Sequence, residues 1–79
     1  MKGLSWMQII IRNKIQEKVE EYQEKHGSSK AWIANKMNIT PQNLNKAFKS
    51  TNMPIEMLLR CSIVLECSIY DLFEYEIIE

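Results

Sequence analysis

The chain has 79 residues, 46% apolar and 25% charged, with only two Gly and two Pro. That is one domain's length, too apolar for a disordered tail and too poor in turn formers for an all-β fold. Ten basic residues balance ten acidic ones, a total that taken whole argues against nucleic acid.

In the first 27 residues, Ile11, Ile15, Val19 and Tyr22 fall at spacings of four, four and three, which favours an amphipathic helix ending at Gly27. Residues 1–14 then extend that helix on its N-terminal side. Ile9-Ile10-Ile11 is locally β-prone, so residues 6–11 are alternatively a strand or a frayed extension. Ser28-Ser29 supply N-cap hydroxyls for a helix from Lys30 to Met37, with Ile33, Ala34 and Met37 at helical spacing. Asn38 stands where the chain must reverse, and Asn suits a left-handed position better than any other residue with a side chain. Thr40-Pro41 opens the next helix, which runs to about Lys49.

Ser50-Thr51-Asn52 reads as a loop, and Pro54 opens a fourth helix to about Leu65. Its apolar residues go almost all round, which predicts the central, buried helix; Glu56 and Arg60 mark its wet edge. Ser68-Ile-Tyr-Asp71 is a capping box and starts a short fifth helix through Leu72 and Phe73. The tail from Glu74 to Glu79 alternates imperfectly and leaves its structure open.

Several functions are excluded early. The longest apolar run is four residues, so nothing spans a membrane. Lys2 is followed by no continuous apolar segment and no small-residue cleavage site, so no signal peptide is expected and the location is cytoplasmic. Cys61 and Cys67 read as small apolar residues in a reducing compartment. With the lone His26 they are too few to hold zinc. His26, in a turn beside Gly27, reads as solvent-facing. Two distant glycines make no phosphate loop, and so small a domain leaves little room for a deep pocket. No catalytic residue, metal, cofactor or small-molecule substrate is expected.

The balanced charge is an average over unlike segments. Residues 25–55 carry Lys25, Lys30, Lys36, Lys46 and Lys49 and no acid, for +5. Residues 56–79 carry Arg60 against Glu56, Glu66, Asp71, Glu74, Glu76 and Glu79, for −5. Such asymmetry points to nucleic-acid contact. The basic segment coincides with a helix, a tight turn and a helix, the arrangement that projects its second helix into a major groove. Ile33, Met37, Ile39, Leu44 and Phe48 form the inside of the pair, and Trp32 and Phe48 read as packing residues rather than stacking platforms. Gln42, Asn43, Asn45, Lys46 and Lys49 form the outer face. Amide side chains read adenine with both arms, and Lys reads guanine or holds phosphate.

The stretch Ser29-Lys-Ala-Trp-Ile-Ala-Asn-Lys-Met-Asn-Ile-Thr-Pro-Gln-Asn-Leu-Asn-Lys-Ala-Phe-Lys49, then Met57-Leu-Leu-Arg-Cys-Ser-Ile-Val-Leu65 and Ser68-Ile-Tyr-Asp-Leu-Phe73, resembles the lambda-repressor-like, Cro-type (Xre) helix-turn-helix domains. The likeness spans about residues 15–73. It implies an all-α, compact five-helix domain that binds double-stranded DNA and regulates transcription, most often as a repressor. Lys30 falls where family members hold a backbone phosphate. Thr40, Gln42, Asn43, Asn45, Lys46 and Lys49 fall on positions that touch bases or adjacent phosphates. Ser50, Thr51 and Asn52 occupy the loop that approaches the backbone next. Asn38 and Glu66 stand where the family commonly has glycine, and the loop after the third helix is short and lacks one.

A domain with few phosphate contacts gains by binding as a dimer to a palindromic site. Leu4, Trp6, Met7, Ile9 and Ile10, with Tyr75, Ile77 and Ile78, exceed what one small core needs, so the termini are expected to form a homodimer contact. The alternative is a protein-interaction adaptor, antitoxin- or antirepressor-like, using the same fold with little affinity for DNA.

Overall fold

The start of each middle helix is set by its capping side chain. Ser29 Oγ accepts from the Trp32 amide (3.0 Å), and Thr40 Oγ1 accepts from the Asn43 amide (3.1 Å); each satisfies a donor that has no partner within its helix. Pro41 follows at the first helical position, where its missing amide costs nothing. The computed structural model describes residues 7–78. Along them run strand β1 (Gln8–Asn13), helices α1 (Ile15–His26), α2 (Lys30–Lys36), α3 (Pro41–Lys49) and α4 (Ile55–Leu65), a single 3-10 turn (Ile69–Asp71), and strand β2 (Phe73–Ile78).

The architecture is α+β, and this corrects the expected all-α, five-helix domain on two points. Residues 8–13, expected to extend the first helix with a strand over 6–11 as the alternative, take the strand and pair antiparallel with β2, Gln8 opposite Ile78 and Asn13 opposite Phe73. The helix stops short of them because Asn13 Oδ1 accepts from the Ile15 amide (2.8 Å), fixing the start of α1. Upstream, Ile9, Ile10 and Ile11 are stiff β-branched residues that suit a pleated strand. The expected fifth helix is only the 3-10 turn. Its capping box forms as expected, with Asp71 Oδ2 accepting from the Ser68 amide (3.0 Å) and Ser68 Oγ accepting from the Tyr70 amide (3.2 Å). Phe73, expected at the end of that helix, instead begins β2.

One core is shared by every helix. Ile15 and Val19 of α1 meet Ile33 and Ala34 of α2, Leu44 and Ala47 of α3, and Leu58, Cys61 and Leu65 of α4. Met37 and Leu72 close it from the connecting segments. The α4 helix is not buried all round, contrary to its composition. Ile55 and Ile63 are 71% and 75% exposed, and Leu59 lies between them on the same face. Among the described residues no further layer covers that side. Among the described residues no helix is long and apolar enough to cross a membrane.

Left-handed backbone occurs at three turns of the described chain. Gly27 ends α1 at φ 69°, and Asn38 (φ 60°) reverses the chain between α2 and α3. Glu66 ends α4 at φ 55°, where a side chain bears a steric cost that glycine avoids.

Candidate nucleic-acid interface

The α3 helix buries Leu44 and Ala47 and half-buries Phe48, so its opposite side faces solvent. Gln42, Asn43, Asn45, Lys46 and Lys49 are all exposed there, together with Thr40 at the cap. Thr40 Oγ1 spends a lone pair on the Asn43 amide and keeps its own proton to donate. At the start of α2, exposed Lys30 reaches this surface. Its Nζ donates to Asn45 Oδ1 (3.1 Å) and lies 5.4 Å from the centre of the Phe48 ring.

That contact separates the amides by role. Reading adenine with both arms takes the carbonyl and the amino group of one side chain. The Asn45 carbonyl is engaged by Lys30, whereas no side chain among the described residues bonds Gln42. Asn43 and Lys46 rim a shallow depression of about 230 Å³ between α3 and the start of α4, with Ser50, Met53 and Met57.

The loop after α3 divides. Ser50 is half-buried, and its Oγ donates to the Asn52 carbonyl (3.1 Å) and accepts from the Asn52 amide (3.2 Å), closing the loop on itself. Thr51 and Asn52 are exposed. Thr51 lies beside Ile11, Met53, Leu58 and Phe73, at the root of the strand pair.

The five lysines of the basic segment do not form one patch. Lys30, Lys46 and Lys49 belong to the α3 surface. Lys36 lies over the Trp32 ring (5.4 Å), which itself stacks on Tyr22. Lys25 borders a hollow shared with Glu21, Glu66 and His26. On the strand pair Arg12 Nη2 meets Glu17 (2.7 Å), and Glu74 takes both Arg12 Nη1 (3.4 Å) and Lys14 (3.3 Å). Cys61 and Cys67 are both free thiols, and no group of three or more His, Cys, Asp or Glu among the described residues could hold a metal.

No family model, curated protein or solved structure matches the chain.

Two positioning residues went unnoticed in the sequence. Asn13 Nδ2 donates to the carbonyls of Ala47 (2.6 Å) and Ser50 (2.7 Å), so β1 caps the C-terminal end of α3. An Asn two residues before an apolar-periodic run is a local sign of a helix start, but its second role depends on residues far along the chain. Arg60, read as half of a surface pair with Glu56, also sends Nη1 to the Met37 carbonyl (2.7 Å). Both ends of α3 are thereby tied to neighbouring elements, the turn before it by α4 and the turn after it by β1. Of the apolar residues expected at a dimer contact, Met7, Ile9, Ile10, Tyr75, Ile77 and Ile78 are exposed; Leu4 and Trp6 lie outside the described residues.

Proposed function

We propose that the chain is a sequence-specific regulator of transcription, of the Cro-type helix-turn-helix kind found in bacteria and phages, that binds double-stranded DNA in the cytoplasm. The carrying observation is the outer face of α3. Gln42, Asn45, Lys46 and Lys49 share it with no carboxylate, and Lys30 joins it from α2. A helix held at both ends can present such a row to base edges without first becoming ordered, which lowers the entropic cost of binding. Thr40, Asn43 and Lys30 flank the row as phosphate or base contacts. Thr51 and Asn52 follow on the exposed loop, while Ser50 contributes by closing it. In this reading the protein acts as a homodimer on a palindromic operator, with no cofactor and no catalytic step.

Titration of labelled duplexes from the protein's own upstream region, over a range of salt, tests the proposal. A dimer contacting six phosphates loses affinity with a log–log slope of about −5. A specific duplex should outcompete unrelated DNA throughout. If none does at low salt, the protein-interaction adaptor is the better reading. The uncovered stripe of Ile55, Leu59 and Ile63 on α4 favours that second reading, since an exposed apolar face marks an association site.

A further inference from the structure

The strand pair has a face and an edge that no part of the described chain covers. Ile9 and Ile11 share one face with Ile77 and Tyr75, while Ile10 and Arg12 share the other with Glu76 and Glu74. Ile9 is 58% exposed and Ile10 is 50% exposed. Among the described residues the sheet has only these two strands, so each also has an outer edge. An exposed apolar edge is a template for another strand, and a two-stranded ribbon is marginal by itself.

The ladder tells which groups that edge offers. The Lys14 amide donates to the Leu72 carbonyl (2.9 Å), continuing the register by one pair. Bonded and unbonded pairs alternate in an antiparallel ladder. Gln8, Ile10 and Arg12 therefore bond across to β2, and Ile9 and Ile11 turn their N–H and C=O groups outward. By the same alternation Tyr75 and Ile77 turn theirs out from the far edge of β2.

The two edges differ in charge. Two copies of one strand pairing antiparallel about a twofold axis must centre on a residue, because successive side chains point to opposite faces. For β2, the two longest registers centre on Tyr75 or on Glu76. The first sets Glu74 against Glu76 twice, and the second sets Glu76 against itself. Directly opposed like charges destabilise a sheet. For β1, a register centred on Ile10 sets Ile10 against itself, Ile9 against Ile11, and Gln8 against Arg12. No like charges meet, and Arg12 is already paired with Glu17 and Glu74. The same register lines up Ile77, Ile9, Ile11 of the second copy and its Tyr75 in one apolar row, repeated by symmetry.

We infer that β1 is the docking edge for a second copy of this chain, paired antiparallel about Ile10 to give a four-stranded sheet in the order β2-β1-β1-β2. This arrangement deepens the homodimer proposed above and rests on it. Its test needs no DNA, so failure of DNA binding and failure of this pairing are separable.

The experiment measures mass and cross-linking. Sedimentation equilibrium at about 100 μM should give the mass of two chains, since dimer population follows protomer concentration. Ile10 meets its own copy in an unbonded pair, where Cα atoms approach to about 4.5 Å, within disulfide reach. In a Cys67→Ala background, Ile10→Cys should form a covalent dimer under mild oxidation, and Glu76→Cys should not. Ile10→Lys should weaken the dimer by about 100-fold or more while leaving the helical circular dichroism unchanged. A mass of one chain for the unsubstituted protein overturns the pairing. So does cross-linking through Glu76→Cys. Loss of the dimer in Ile63→Lys but not in Ile10→Lys also overturns it, by moving the interface to α4.

Discussion

Arg60 Nη1 donates to the main-chain carbonyl of Met37 at 2.7 Å, so α4 holds the turn that aims α3. The same guanidinium reaches Glu56 at 3.3 Å, but Glu56 is largely exposed. The two contacts are unequal. A hydrogen bond from a charged group to a half-buried carbonyl contributes about 2 kcal/mol, and an exposed pair four residues apart on a helix about 0.3–0.5 kcal/mol. Urea denaturation should therefore show Arg60→Ala less stable by about 2 kcal/mol and Glu56→Ala by under about 0.5 kcal/mol. Equal losses would mean that the surface pair matters more than the clamp.

Asn13 gives both a donor and an acceptor, which allows a sharper test. Asn13→Ala removes the bonds to Ala47, Ser50 and Ile15 and should cost about 2 kcal/mol. Asn13→Asp keeps the acceptor for the Ile15 amide but aims a carboxylate at two carbonyl oxygens. Repulsion there raises the carboxyl pKa of the folded variant. Stability tied to a raised group is present at low pH and lost as pH rises. Asn13→Asp should thus match or exceed the Ala loss at neutral pH and recover part of it near about pH 4. Thermal melts at the two pH values would show this, and an unchanged gap between the variants would refute the donor role.

On DNA the α3 residues should separate by kind of effect. Gln42→Ala should relax preference at one base position by about 1–3 kcal/mol while leaving the salt slope in place. Lys49→Ala should weaken all duplexes alike and flatten the slope by about 0.9 for each phosphate left without its cation. Anisotropy titrations at several salt concentrations, against single-base variants of the bound site, distinguish the two. A uniform loss for Gln42→Ala would remove it as a reader.

Desolvation, and then the neighbouring Cys67, push the Cys61 thiol up to about 11; burial first, and then Asp71, push Cys67 in the same direction. Both thiols are protonated at neutral pH, so a thiolate-dependent reagent such as iodoacetamide should leave Cys61 unlabelled until the chain unfolds. A raised thiol keeps its contribution below the ordinary value of 9 and loses it as pH climbs toward 11. Denaturation midpoints should fall across that interval, and Cys61→Ser should flatten the fall. Labelling of Cys61 in the folded protein at neutral pH would contradict its burial.

Local chemistry was the legible part of the fold. Thr40-Pro41 marks the start of α3 because cap and first helical residue are neighbours. Asn38 marks a left-handed turn through its own side-chain chemistry, and Ser68 and Asp71 cap each other across three residues. The candidate face of α3 followed from helical spacing once those ends were known. The strands declared themselves only in part: Ile9-Ile10-Ile11 is β-prone, but a helical spacing competes with it. Ile11, Ile15, Val19 and Tyr22 keep helical spacing across a boundary that Asn13 imposes, and the partner that makes Ile9 a strand residue is Ile77. The apolar run of α4 likewise says nothing about how many neighbours exist to cover it. Ile55 and Ile63 stay exposed because no other element of the described chain packs on that side.

Pairing Gln8 with Ile78 closes a loop that contains every helix. Helical contacts between sequence neighbours form early, whereas the entropy of closing a loop grows with its length. The ribbon should therefore form after the helices. Weakening Ile9 or Ile77 should hasten unfolding far more than it slows folding. The rate of folding belongs to the helices, and the lifetime of the folded state to the two strands that join its ends.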